Sequence, residues 1–258
     1  MKIQLLPTTI NEFGVATAQQ HSCCFVIDDC VAIDAGNLAM ATNGVQKAKI
    51  RDIILTHAHL DHIAGLPLFI DDLFAVLEKP ISIHATVEVI DALKEHIFNW
   101  VIYPDFSQLQ NHTGEVMIYE PFVTETETKI AHLNVKAVEV NHKVPSVGII
   151  FSDEKSTIAI SGDTSKMDRF WEVVNRENKL SALLIECAFP NELDDLAHTS
   201  YHLTPKILQR ELTKFHRRNC PIYIINMKPM YCEQIIYELS KLDIENLQII
   251  EVGKIYEF

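Results

Sequence analysis

Short apolar runs broken by acidic pairs set the elements that the chain predicts. "CCFVID" and "CVAIDAG" flank Asp28 and Asp29 and read as a hairpin. "DIILT" and "ISIHA" are further β-rich runs, and between them residues 66–77 carry apolar side chains at helical spacing, with Pro67 tolerated in a first turn. Over 86–103, Val87, Ile90, Leu93, Ile97 and Val101 line one face of an amphipathic helix. Residues 104–128 are polar, irregular and acidic near "TETET", so 86–128 is read as a lid or dimer-contact insertion. Strand signals resume at "LNVKAVEV", "VGIIF", "STIAISGD" and "ALLIE", with a helix over 165–177. Thr204 and Pro205 form an N-cap and first-turn pair for a helix running to about Arg218. The end reads as strand (222–225), helix (233–241) and strand (247–252). With no repeat or linker, 1–258 reads as a single domain of α/β class, sheets covered by helices.

Composition adds exclusions. Hydrophobic residues at 48% and charged residues at 22% belong to a folded chain. Lys and Arg number 22 against 35 Asp and Glu, a formal charge of −13, which argues against non-specific binding to nucleic acid or anionic membrane. No apolar run approaches the roughly 18–20 residues of a bilayer span, and no signal-peptide pattern opens the sequence, so a cytoplasmic location is expected. The six cysteines form no C-x-x-C pair and read as reduced, mostly buried thiols.

The chemistry is announced by "LTHAHLDHIAGL", which crowds His57, His59, Asp61 and His62 at the end of an apolar run. Alternate residues of an extended segment point the same way, so His57 and His59 present their rings to one point. Asp61 and His62 follow in the turn and reach an adjacent one. Imidazole and carboxylate in H-x-H-x-D-H order are ligands for Zn²⁺, Mn²⁺ or Fe²⁺.

That order resembles the hallmark of the metallo-β-lactamase superfamily. "VAIDAGN" with Asp34 looks like its early acidic motif, and Thr56 sits where a small polar residue commonly precedes the histidines. His142 in "VNHKVPSVG" matches the third histidine and Asp163 in "ISGDT" the bridging aspartate. The resemblance implies a four-layer αββα sandwich holding two divalent metal ions, zinc first among Zn, Mn and Fe. His57, His59 and His142 would hold one, Asp61 and His62 the other, and Asp163 would bridge them. The family usually supplies a last histidine from a late strand end; here Asn226 in "IYIINMKP" stands in that place. An amide oxygen is a poorer ligand, so Asn226 implies a second site that is weaker, filled by water or selective for a harder metal. His216 would be a substitute only from mid-helix.

Two cations a few ångströms apart acidify a shared water and neutralise a phosphoryl group, so hydrolysis is the expected reaction. "LLIECAFPNELDDLAHTSYHLTP", together with "HAHLDHIAGL" and "INMKP", resembles the class II cyclic-nucleotide phosphodiesterases. The implied reaction is hydrolysis of the 3′ phosphoester of cyclic AMP or cyclic GMP to the 5′-monophosphate. His202 and Asp61 are then the catalytic candidates, with His202 protonating the leaving oxygen. Glu186 would orient a ligand or His202, and Lys143 and Lys228 would meet phosphate. His198 reads as a neighbour, and His21, His84, His96, His112 and His132 as structural. Competing readings are a cyclic dinucleotide hydrolase, an RNA 3′-processing nuclease, and a nucleotide sensor with a weakened second site. A homodimer through 86–128 is the expected protein partner.

Overall fold

In the strand Phe25–Ile27, Phe25 and Ile27 face one apolar layer while Cys24 and Val26 face another, and all are buried. Strands covered on both faces read as continuous apolar runs, which is why "CCFVI" and "CVAI" lack polar alternation. The computed structural model describes residues 1–217 and 219–258.

Two seven-stranded sheets carry the chain. The first runs in the order Ile255–Glu257, Lys2–Leu5, Phe25–Ile27, Val31–Ile33, Asp52–Ile54, Ile81–Ala85 and Met117–Pro121. The second runs Leu247–Ile249, Ile222–Ile225, Ala182–Glu186, Thr157–Ile160, Val147–Ser152, Leu133–Glu139 and Glu127–Ile130. Between them Ile3, Phe25, Ile33 and Ile54 pack against Val135, Ile149, Ile160 and Leu184. Helices Leu66–Leu73 and Val87–His96 cover the outer face of the first sheet, and Arg169–Arg176, Pro205–Leu212 and Cys232–Leu239 that of the second. The order helix, sheet, sheet, helix is the expected αββα sandwich. No helix of the described residues is long and apolar enough to cross a membrane.

Several local expectations are corrected. The helix expected over 86–103 stops at His96, because Asn99 Oδ1 accepts from the backbone N–H groups of Val101 and Ile102 at 3.0 and 2.8 Å. That side-chain turn offers the backbone an alternative to the helix, and Val87 and Val101, placed on its apolar face, are exposed. Residues 104–128 are not irregular throughout: Gln110–Asn111 pairs with Gly114–Glu115, and Met117–Pro121 adds a parallel edge strand beside Ile81–Ala85. The helix expected over 165–177 is confined to Arg169–Arg176. The helix capped by Thr204 ends at Leu212, and the end expected for it at Arg218 lies outside the described residues. A helix not expected, Asp194–Ser200, precedes His202.

Candidate metal centre

Strands of both sheets end at one rim of the sandwich. Asp34 follows Val31–Ile33, and Thr56 to His62 follow Asp52–Ile54. From the second sheet, His142 follows Leu133–Glu139, Asp163 follows Thr157–Ile160, Glu186 ends Ala182–Glu186, and Asn226 follows Ile222–Ile225. Open α/β layers place ligand sites at such carboxyl ends. Asp34 (φ 59°), Tyr201 (φ 60°) and Asn226 (φ 54°) all adopt the left-handed region here, a conformation that Asn and Asp tolerate better than most residues.

Three imidazoles converge. His57 Nε2 and His142 Nε2 each lie 3.1 Å from His59 Nδ1. The opposite nitrogens are engaged behind them: His57 Nδ1 is 3.0 Å from Thr56 Oγ1, and His142 Nδ1–H donates to the Tyr201 carbonyl at 3.0 Å. Such outer partners fix the tautomer that turns lone pairs inward. Burial pushes His57 below its ordinary value and His142 down to about 4, so both rings stay neutral. Neutral nitrogens facing one another at this distance lack enough protons to bond each other; the donor set fits a divalent cation at their focus.

Beside this cluster, His62 Nδ1 donates to Asp34 Oδ2 at 2.6 Å, and His62 Nε2 lies 3.5 Å from Asp163 Oδ2. Burial alone would discharge His62, but Asp163 and Asp34 outweigh it and hold the ring above its ordinary value. The pocket therefore favours positive charge at this point. Asp34 also accepts from Thr56 N and Oγ1, so one carboxylate ties the strand end to the ligand turn. A cavity of about 200 Å³ opens here, lined by His21, Cys23, Asp61, His62, Asp163, Asn226 and Lys228 among others.

The sequence-derived residues are not equally placed. His57, His59 and His142 form one group with ligand atoms within 4.8 Å, and His57, His62 and Asp163 another. The half-buried Asp61 pairs with Lys228 at 3.3 Å and joins no such group among the described residues. Asn226 Nδ2 donates to Asp163 Oδ1 at 2.6 Å, so its amide N–H faces the carboxylate. His216 lies beyond the helix end, exposed, rather than mid-helix. His198 is exposed, and Lys143 lies 5.2 Å over the Tyr201 ring. Sequence reasoning missed Tyr201, whose contribution is a carbonyl that no side-chain motif encodes, and His21 and Cys23 on the cavity wall.

His202 completes the rim. The helix Asp194–Ser200 ends in the left-handed Tyr201, and His202 N donates back to Ala197 O at 2.9 Å, which turns the His202 ring toward His142 with centroids 5.0 Å apart. His202 Nδ1 lies 2.8 Å from Glu186 Oε1, and Glu186 is fully buried. Burial opposes charge on His202, yet the Glu186 carboxylate outweighs it and raises the ring above its ordinary value.

A family model described as cAMP phosphodiesterases class-II matches residues 28–245. A probable 3′,5′-cyclic-nucleotide phosphodiesterase of Yersinia pestis is 24% identical over 251 residues, covering 84% of this chain and 71% of that protein. The crystal structure of unliganded yeast PDE1 superposes with a TM-score of 0.76 at 18% identity, covering 98% of each chain. YhfI from Bacillus subtilis, a metallo-β-lactamase fold protein, gives 0.74 at 15% identity over 99% of this chain and 98% of its own. The four layers are therefore those of the metallo-β-lactamase fold.

Proposed function

The chain belongs to the class-II cAMP phosphodiesterases, hydrolases by family, and from that premise we propose that it cleaves the 3′ phosphoester of 3′,5′-cyclic nucleotides, releasing the 5′-monophosphate. The observation that carries this reading is the juxtaposition of a cation-seeking imidazole cluster with the His202–Glu186 pair at one rim.

We assign two cation sites, zinc first: His57, His59 and His142 at one, His62 and Asp61 at the other, with Asp163 between them. Bound there, divalent cations offset phosphoryl charge and acidify water near neutrality. Asp61 and Lys228 act together at the second site, where the lysine holds the carboxylate and presents a positive head toward an anionic substrate. Asn226 steadies Asp163 through its amide N–H, a supporting role at that site.

His202 holds a proton for the 3′ oxygen. Glu186 occupies its Nδ1, leaving Nε2 as the nitrogen that donates. We take 1–258 as one hydrolase unit working in the cytoplasm, a placement supported by six free cysteines. A second copy of the chain is the proposed protein partner through 86–128, where Trp100, Val101 and Ile102 stand exposed.

The test is incubation of metal-loaded protein with cyclic AMP, cyclic GMP and cyclic dinucleotides, followed by chromatography of the products. Linear 5′-monophosphates from the mononucleotides are expected. Binding without cleavage of any of them would overturn the hydrolytic reading in favour of a sensor.

A further inference from the structure

The cavity of about 200 Å³ beside His62 and Asp163 is smaller than the roughly 300–1,000 Å³ of sites that enclose a small-molecule ligand. It has room for a phosphoryl group, whereas a whole nucleotide needs more. A larger groove of about 580 Å³ opens at the same rim, with His142 of the imidazole cluster on its wall.

Strand ends of both sheets build this groove. Thr86 follows Ile81–Ala85 and opens the helix Val87–His96, and Phe122 follows Met117–Pro121, its N–H donating to Ala85 O at 3.0 Å. The other wall is the 140–146 turn of the second sheet, where Val140 N donates to Ser146 O at 3.2 Å. Val87 and Val123 on the first wall are 55% and 70% exposed, and Val144 on the second is half-buried, so both walls offer apolar surface. Next to Val87, Glu88 adds an exposed carboxylate to the lining. Its own backbone N–H, with Thr86 beside it, holds that carboxyl below its ordinary value, so it stays ionised. Thr86 is itself buried, and its Oγ1 makes no hydrogen bond of normal geometry to any described residue.

Resting on the phosphodiesterase reading above, we propose that this groove receives the nucleobase and that Glu88 reads it, selecting guanine over adenine. A flat heterocycle entering between the two walls covers the exposed valines while its phosphate stays at the imidazole cluster. An ionised carboxylate only accepts hydrogen bonds. Guanine sets N1–H and N2–H side by side, two donors for the two carboxylate oxygens. Adenine offers N6–H beside the N1 lone pair, which meets the carboxylate as a second acceptor. A site built to hydrogen-bond one group discriminates against an analogue that leaves its polar atoms unpaired. Glu139, the other carboxylate of the lining, ends Leu133–Glu139 and supplies an internal comparison.

The test is steady-state kinetics of metal-loaded full-length protein with cyclic GMP and cyclic AMP, beside calorimetric binding of 5′-GMP and 5′-AMP, which needs no cleavage. The wild type is expected to favour guanine at least about tenfold in kcat/KM and in affinity. Glu88→Gln, an exposed and nearly isosteric change, is expected to lower that ratio about tenfold, whereas Glu139→Gln retains it. A wild type indifferent to the base, a ratio unmoved by Glu88→Gln, or a ratio lost in Glu139→Gln alone would each overturn the assignment while leaving hydrolysis intact. Guanine-selective binding that depends on Glu88, without cleavage, would uphold the base site and overturn the hydrolytic reading. A protein that neither binds nor cleaves these nucleotides would overturn both.

Discussion

Glu186 and His202 meet at 2.8 Å in the buried rim, and the carboxylate is itself fixed by the backbone. Its Oε1 accepts from Thr164 N at 2.8 Å, and its Oε2 from Ala188 N at 3.0 Å and Leu203 N at 3.3 Å. The imidazole is therefore held by a carboxylate that three backbone N–H groups orient. In the proposed role of proton donor, a ring aimed in this way would lose little to reorientation when substrate arrives.

His202→Ala should leave metal content unchanged and lower kcat by about 10²–10⁴-fold, the usual contribution of a positioned acid. Metal analysis and steady-state kinetics on the same preparation check this. Unchanged turnover would remove His202 from the reaction.

The proposed acid, His202, works while protonated, and Glu186 raises its pKa, so activity should fall as pH rises through that raised value. Glu186→Gln removes the negative partner and lowers the His202 pKa. The descending limb of the pH–rate profile should then move to lower pH. A limb that stays in place would show that another group controls it.

Chelation should lower thermal stability. A cation present at a thousandfold above its dissociation constant stabilises by about 4 kcal/mol, roughly a 10 °C shift in Tm for a chain of this size. Calorimetry with and without chelator reads this, and His59→Ala should abolish both the shift and turnover. Complete stripping with an unmoved Tm would argue against a cation at the imidazole focus.

Gly36→Ala tests how the ligand turn is seated. A Cβ at this position would meet Asp61 O at 1.9 Å and Ser22 Cβ at 2.7 Å, so the turn must shift. A loss of about 1–3 kcal/mol is expected in denaturant unfolding, with reduced activity. Gly44→Ala, with nothing within 4 Å, should cost neither.

What spacing alone made legible was local, whereas the four-layer fold was legible through the family resemblance. H-x-H-x-D-H needs only one strand end and its turn, and doubly buried strands betray themselves as apolar runs. Met117–Pro121 escaped because an edge strand is covered on few sides, and "MIYEP" mixes exposed Glu120 and Pro121 with one buried residue. The helix before His202 escaped because seven residues with two leading aspartates carry little periodicity. The early stop at His96 depends on where the Asn99 side chain turns, a choice that spacing does not record. The orientation of Asn226 is set by Asp163, 63 positions away, so only the assembled rim reveals it.

The pairing of two sheet ends at one rim also orders events in the life of the chain. His59 and His142 are 83 residues apart in sequence, and each belongs to a different half of the sandwich. A chain emerging from its N-terminus exposes His57, His59, Asp61 and His62 before their partners exist. In the proposed centre such a half-formed chelate would grip a cation only weakly, because His142 and Asp163 arrive only when the second sheet docks. On that proposal tight capture would follow docking of the two halves, which would make catalytic competence a late checkpoint on assembly rather than a property of the first sheet.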